Sequence, residues 1–341
     1  MSTQPDAARA LHEDALVIDG LIFFCDGHVD GLRAGNVAAI NLTVSHFVAD
    51  FVEACDGIAT LLDGIGRPDT PWHIVETTAD IERARTAGRI GLIMGWQNMR
   101  PIGDKLERLA FFHRLGLRVM QLTYNERNFM GDGCLEPEDG GLSELGARAI
   151  AEMNRLGIAL DLSHVGQRTS LEAVEASEKP TLLTHANARA VSPALRNKID
   201  DVIKAVAAGG GLVGVSVYGP MCWDGDPARP PNLSDFVRHA DYIAGMVGPG
   251  NMSFGSDLPA VAGYGGLEAL ARATLARYPA AIAKYAEAFG KTIPVRALTD
   301  CRTAAELPAM TAALLAAGWS EADVRGLLGL NLMRVLGEIW G

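Results

Sequence analysis

Polar and titratable residues stand where the short apolar runs of this chain stop: Asp19, Gln97, Tyr124, His164, His185, Tyr218 and Asp257. Two imidazoles at successive run ends, with a carboxylate at the last, suit a borderline cation such as Zn2+ and leave coordination positions open for water. Asp257 has two readings. It is a third ligand, or it takes a proton from water that a nearby cation has made acidic. Asp161 and Ser163 alternate with Leu160 and Leu162, so Asp161 shares the inward face with Ser163 or supports a ligand from behind. A purely structural polar layer is the competing reading of the same residues.

The elements that must position these groups follow from periodicity. Leu16–Asp19, Val37–Thr43, Ile90–Trp96, Leu117–Thr123, Ile158–Ser163, Thr181–Thr184, Leu212–Val217 and Met252–Gly255 read as strands. Most are continuously apolar, as strands covered on both faces of a parallel sheet are. Ile102–Leu115, Leu142–Leu156, Thr169–Ser177, Asp200–Ala208 and Leu233–Val247 carry helical patterns, several closed by glycine. Strand–helix alternation of this kind predicts an α/β fold, a (β/α)8 TIM barrel with reactive groups at the C-terminal strand ends. A doubly wound sheet competes, but no Gly-x-Gly-x-x-Gly turn follows the first strand. Residues 1–341 read as a single domain, with 267–341 a mostly helical C-terminal wrap.

Composition sets outer bounds. The 341 residues are 48% apolar and 21% charged, enough for a large core. A net charge of −11 argues against nucleic acid and anionic membranes as partners. Cys25, Cys55, Cys134, Cys222 and Cys301 are scattered and form no Cys-x-x-Cys pair, which excludes a disulfide scaffold and a thiolate zinc cluster. Residues 1–15 hold no apolar run of signal-peptide length, and the expected setting is cytoplasmic.

Gly116-Leu-Arg-Val-Met-Gln-Leu-Thr-Tyr-Asn125, Glu152-Met-Asn-Arg-Leu-Gly157 and Asp161-Leu-Ser-His-Val165 follow one another in an ordered set. So do Thr184-His-Ala-Asn187, Arg196-Asn197, Gly209-Gly-Gly-Leu-Val-Gly-Val215, Gly255-Ser-Asp257 and Asn331-Leu-Met-Arg334. The set resembles the membrane (renal) dipeptidase family over nearly the whole chain. The resemblance implies an amidohydrolase-type barrel, a two-zinc site and hydrolysis of dipeptides, including those with a C-terminal D-residue. It makes His164 and His185 ligands of the second zinc, Asp257 the acid that handles the proton of the attacking water, and Arg196 the grip on the dipeptide carboxylate. Tyr218 falls where a residue lines that pocket, and Gln97 and Asn125 are further candidates for substrate binding.

The departures are as informative. The family's His-x-Asp pair after the first strand is replaced by Leu21, Ile22 and Phe23. Its bridging glutamate aligns with Gln97, and a histidine that assists the reacting carbonyl aligns with Tyr124. Asp26-Gly-His-Val-Asp30 repeats the missing pattern seven residues late, which makes His28 and Asp30 alternative ligands or else an exposed pair in a connecting helix. Glu126 and Arg127 follow the fourth strand and either reach the site or pair with each other.

The expectation is therefore a hydrolase of dipeptides or a related small amide, with one Zn2+ or similar ion at His164 and His185 and a possible homodimer as the assembly. Its metal affinity is expected to be low and sensitive to pH. A barrel that binds a small ligand without hydrolysis, or one that runs another metal-assisted reaction, is the alternative.

Overall fold

The computed structural model describes residues 4–226, 228–261, 269, 272, 276 and 297–341. Its strands are β1 (Val17–Cys25), β2 (Val37–Thr43), β3 (Trp72–Ile74), β4 (Ile90–Trp96), β5 (Leu117–Gln121), β6 (Ala159–Asp161), β7 (Leu182–Leu183), β8 (Leu212–Val215), β9 (Met252–Phe254) and β10 (Leu258–Ala260). Every ladder is parallel, in the order β10-β1-β2-β4-β5-β6-β7-β8-β9, with β3 lying on β4. Only Gly255, Ser256 and Asp257 separate β9 from β10. β9 pairs with β8, and β10 pairs with β1, so these two pieces together occupy one position and close the ring. The fold is a (β/α)8 barrel.

Three details differ from the sequence expectation. β1 does not stop at Asp19 but runs on to Cys25, because Leu21-Ile-Phe-Phe24 stays extended beside β2 and β10. Asp19 is tolerated inside it because its Oδ1 accepts from Leu21 N at 3.0 Å and Ser256 N at 2.8 Å. The short β3 was not foreseen; three residues with a polar centre, Trp72-His-Ile74, carry too little pattern. The helix expected from Ile102 begins at Glu107, since Pro101 and the left-handed Gly103 put turns there instead.

The barrel interior is layered. Ile18, Ala39, Ile93, Val119, Ala159, Leu182 and Leu212 form its apolar floor. The helix Asn331–Trp340 closes that floor with Leu332, Val335, Leu336 and Ile339, which recur at helical spacing on one face. Of the expected C-terminal wrap, 267–296 lies outside the described residues save for 269, 272 and 276; helices cover Leu307–Ala316, Glu321–Arg325 and Asn331–Trp340. No described helix is long and apolar enough to cross a membrane.

Above the floor the chain draws in sharply. A Cβ on Gly214 or Gly255 would lie well inside van der Waals contact of the Thr184 carbonyl oxygen, and one on Gly20 would meet it at 2.8 Å. Glycines of β1, β8 and the turn after β9 thus leave room for the backbone that carries His185. Gly255→Ala is expected to cost about 1–3 kcal/mol, as overpacking against rigid backbone does. A lower urea midpoint at unchanged slope checks it.

A candidate metal centre at the barrel mouth

His164 and His185 follow β6 and β7 and are fully buried. Their Nε2 atoms face each other at 3.0 Å. Each ring is held from behind through Nδ1: His164 by Asn125 Oδ1 at 2.7 Å, and His185 by Thr184 Oγ1 at 2.8 Å. Gln121 Oε1 accepts from the backbone N–H of His164 at 2.8 Å, and Ser163 Oγ from that of His185 at 3.1 Å. Gln97 places its amide nitrogen 3.3 Å from His185 Nε2. Burial, then the nearby Arg196 guanidinium, hold both imidazoles well below the usual histidine range, so both are neutral at pH 7.

Tyr124 stacks on the His164 ring with centroids 4.1 Å apart and is covered in turn by Phe47, also at 4.1 Å. Burial, then the Asp257 carboxylate, push its phenol pKa up, so the hydroxyl keeps its proton. Arg196 and Tyr218 also act on the charge of this phenol, Arg196 lowering its pKa and Tyr218 raising it. Asp257 itself has φ 54°, a left-handed backbone that a non-glycine residue adopts at a cost, and donates its N–H to Leu21 O at 3.1 Å. A cavity of about 70 Å³ opens beside Tyr124, lined by Phe47, Asn98, Arg100, Asn125 and Glu126 among others.

Arg196 is 1% exposed, and its guanidinium donates to the carbonyls of Ser163 and, at 2.9 Å, His185. Its buried Nε has no hydrogen-bond partner. Lys198, beside it, reaches Val165 O and Ser170 Oγ, and burial lowers its pKa to about 7. These two basic side chains clamp the loops that carry the histidines.

The remaining candidates lie elsewhere. His28 is exposed and turns its Nδ1 to Asp26 at 2.8 Å, while Asp30 opens the short helix Asp30–Ala34. Arg127 pairs with Asp132, not with Glu126. Among the described residues no three His, Cys, Asp or Glu side chains gather to hold one ion, so Asp257 does not complete a three-ligand set with the histidine pair. The two imidazoles are the donors that would hold a divalent cation here, and at the β1 positions Leu21 and Phe23 offer no ligand.

Residues 47–276 match the family described as membrane dipeptidase, peptidase family M19. The chain belongs to that family. A dipeptidase of Aspergillus oryzae, aclJ, is 30% identical over 257 residues, 74% of this chain and 52% of that protein. A dipeptidase of Claviceps purpurea, tcpJ, is 26% identical over 262 residues, 76% and 53%. The chain thus spans about half the length of these curated relatives. The crystal structure of an amidohydrolase from Pseudomonas aeruginosa superimposes with a TM-score of 0.86 at 32% identity, covering 98% of this chain and 99% of the other. The family match begins at residue 47, beyond the β1 positions where ligands are replaced.

Phe47, Gln121 and Thr184 escaped sequence reasoning as parts of this centre. Thr184 had a signal, since a hydroxyl next to a candidate ligand can reach its ring; Phe47 and Gln121 are joined to it only through space.

Proposed function

We propose that this chain is a metal-dependent hydrolase of dipeptides or closely related small amides, working with one divalent cation, Zn2+ or a similar ion, on His164 and His185. One observation carries the reading: two neutral imidazoles present Nε2 to each other at 3.0 Å while both Nδ1 atoms are engaged elsewhere. Neutral nitrogens converging in a buried cup suit a shared cation. The dipeptidase relatives supply the substrate class.

A bound cation would supply Lewis acidity towards a carbonyl and lower the pKa of water. Asp257, on its strained turn at the break between β9 and β10, takes the proton of the attacking water. Tyr124 keeps its phenolic proton and donates it as a hydrogen bond to the reacting carbonyl. Arg196 holds the substrate carboxylate through its remaining N–H groups, since an orphaned buried donor is what an anionic group would satisfy. Tyr218 and Asn125 line the recess, and Phe47 closes it over Tyr124.

Elemental analysis of the purified protein, with a panel of L,L and L,D dipeptides assayed with and without added Zn2+, tests this. One metal per chain and metal-stimulated cleavage are expected. A metal-loaded chain inert to the whole panel would assign the barrel to ligand binding without hydrolysis.

A further inference from the structure

We propose that Asp161 and Thr184 form a positioning relay that locks His185 in its Nδ1–H tautomer and so reserves its Nε2 lone pair for a cation. The proposal rests on the single-cation reading above.

Asp161 ends β6 at 1% exposure and accepts from every side. Its Oδ1 takes Ser163 N at 3.0 Å, Ser163 Oγ at 2.6 Å and Thr184 N at 3.0 Å. Its Oδ2 takes Thr184 Oγ1 at 2.7 Å. Two of these partners are backbone N–H groups, which can only donate, so Oδ1 is fixed as an acceptor, and Oδ2 of the ionised carboxylate accepts from the Thr184 hydroxyl.

The direction of the next bond then follows. A threonine hydroxyl has a single proton, and it is committed to Asp161 Oδ2. Towards His185 Nδ1, 2.8 Å away, the same oxygen presents only a lone pair. The ring must donate there. A neutral imidazole that carries its proton on Nδ1 has a bare Nε2, which is the form that ligates. His164 reaches the same form by a separate route, through the Asn125 amide oxygen.

The lock matters because of the 3.0 Å gap. Were His185 in the other tautomer, its Nε2–H would point at the bare Nε2 of His164 and make an ordinary N–H···N hydrogen bond. That bond would occupy the His164 lone pair and leave His185 Nε2 with none, closing the cup to a cation. The relay opposes this collapse without any change of net charge. Sequence left Asp161 either on the inward face with Ser163 or behind a ligand; only the structure shows the Thr184 hydroxyl between it and His185.

The experiment is long-range 1H–15N correlation NMR on metal-free, 15N-histidine-labelled full chain, with Zn2+ affinity measured alongside by calorimetry. Wild type should show both rings as Nδ1–H. Thr184→Val, nearly isosteric, should move His185 to Nε2–H and weaken Zn2+ binding about 10–100-fold, as loss of a ligand's outer partner does. Thr184→Ser keeps the hydroxyl and should restore both readouts. If Thr184→Val does not fold, Asp161→Asn serves instead. Its Oδ1 must still accept from the backbone, so its NH2 faces Thr184, turns the hydroxyl round and drives the same tautomer switch. Nδ1–H persisting on His185 in Thr184→Val, or in Asp161→Asn where that is the variant in hand, would overturn the relay whether or not metal binds. The tautomer switch seen without Zn2+ binding or hydrolysis in wild type would instead retain the relay and overturn the hydrolase reading.

Discussion

Zn2+ will raise the melting temperature of the wild-type chain and leave those of His164→Ala and His185→Ala unchanged, and neither variant will cleave dipeptides. The reason is the ligand count. With two imidazoles converging and no third acidic or sulfur ligand gathered among the described residues, removing either leaves one nitrogen. A ligand that binds only the native state at a hundred times its Kd stabilises by about 2.7 kcal/mol. At roughly 2–4 °C per kcal/mol for a chain of this order, the wild-type shift is several degrees. The shift should also survive mild acid. Burial holds both rings well below the usual histidine range, so protons begin to compete with the cation only below that range. The expected pH sensitivity rests on both imidazoles having to be deprotonated, and burial moves that competition to lower pH. The metal-free fold follows the opposite course. Between 6.5 and the depressed native values the unfolded rings take up protons that the folded ones refuse, so its stability falls as pH drops through that window. Differential scanning fluorimetry at pH 7 and pH 6, with and without Zn2+, reads all of this. A zinc shift that persists in His185→Ala would place the cation elsewhere.

Much of this centre was legible because barrel chemistry sits at strand ends, and strand ends show as polar residues closing apolar runs. His164 and His185 were found that way, and the structure brings them into contact. The same rule misplaced Asp19, which lies within β1, where two backbone N–H groups make a buried carboxyl tolerable and burial lifts its pKa to about 6. What periodicity cannot carry is contact between distant segments. Nothing in the order of residues says that Gly20, Gly214 and Gly255 surround one carbonyl, or that Arg196 turns its guanidinium to backbone. Motif likeness can mislead for the same reason. Asp26-Gly-His-Val-Asp30 has the right letters, yet His28 bonds Asp26 within its own loop and stays exposed.

Gln97→Glu is the substitution with the largest expected gain. Gln97 is 3% exposed and lies against His185 Nε2, at the position that the family resemblance aligns with a bridging carboxylate. In the wild type an amide there adds no charge to a pair of neutral rings, and its N–H competes for the His185 lone pair. A carboxylate in its place does two things of opposite sign. Without metal it is a buried charge against the neutral His185 ring, and burying an unpaired charge is among the most costly single changes. The metal-free variant should therefore melt below wild type. With metal present, the same charge lies beside a dication in a site of low dielectric, where opposite charges attract far more strongly than in water. Zn2+ affinity should rise at least tenfold, about 1.4 kcal/mol. The zinc-induced shift in melting temperature should then exceed that of wild type, although the metal-free baseline is lower. Dipeptide cleavage should rise with occupancy at limiting Zn2+. Lower stability with no gain in affinity would mean that position 97 does not face the cation, and the single-metal geometry would have to be abandoned.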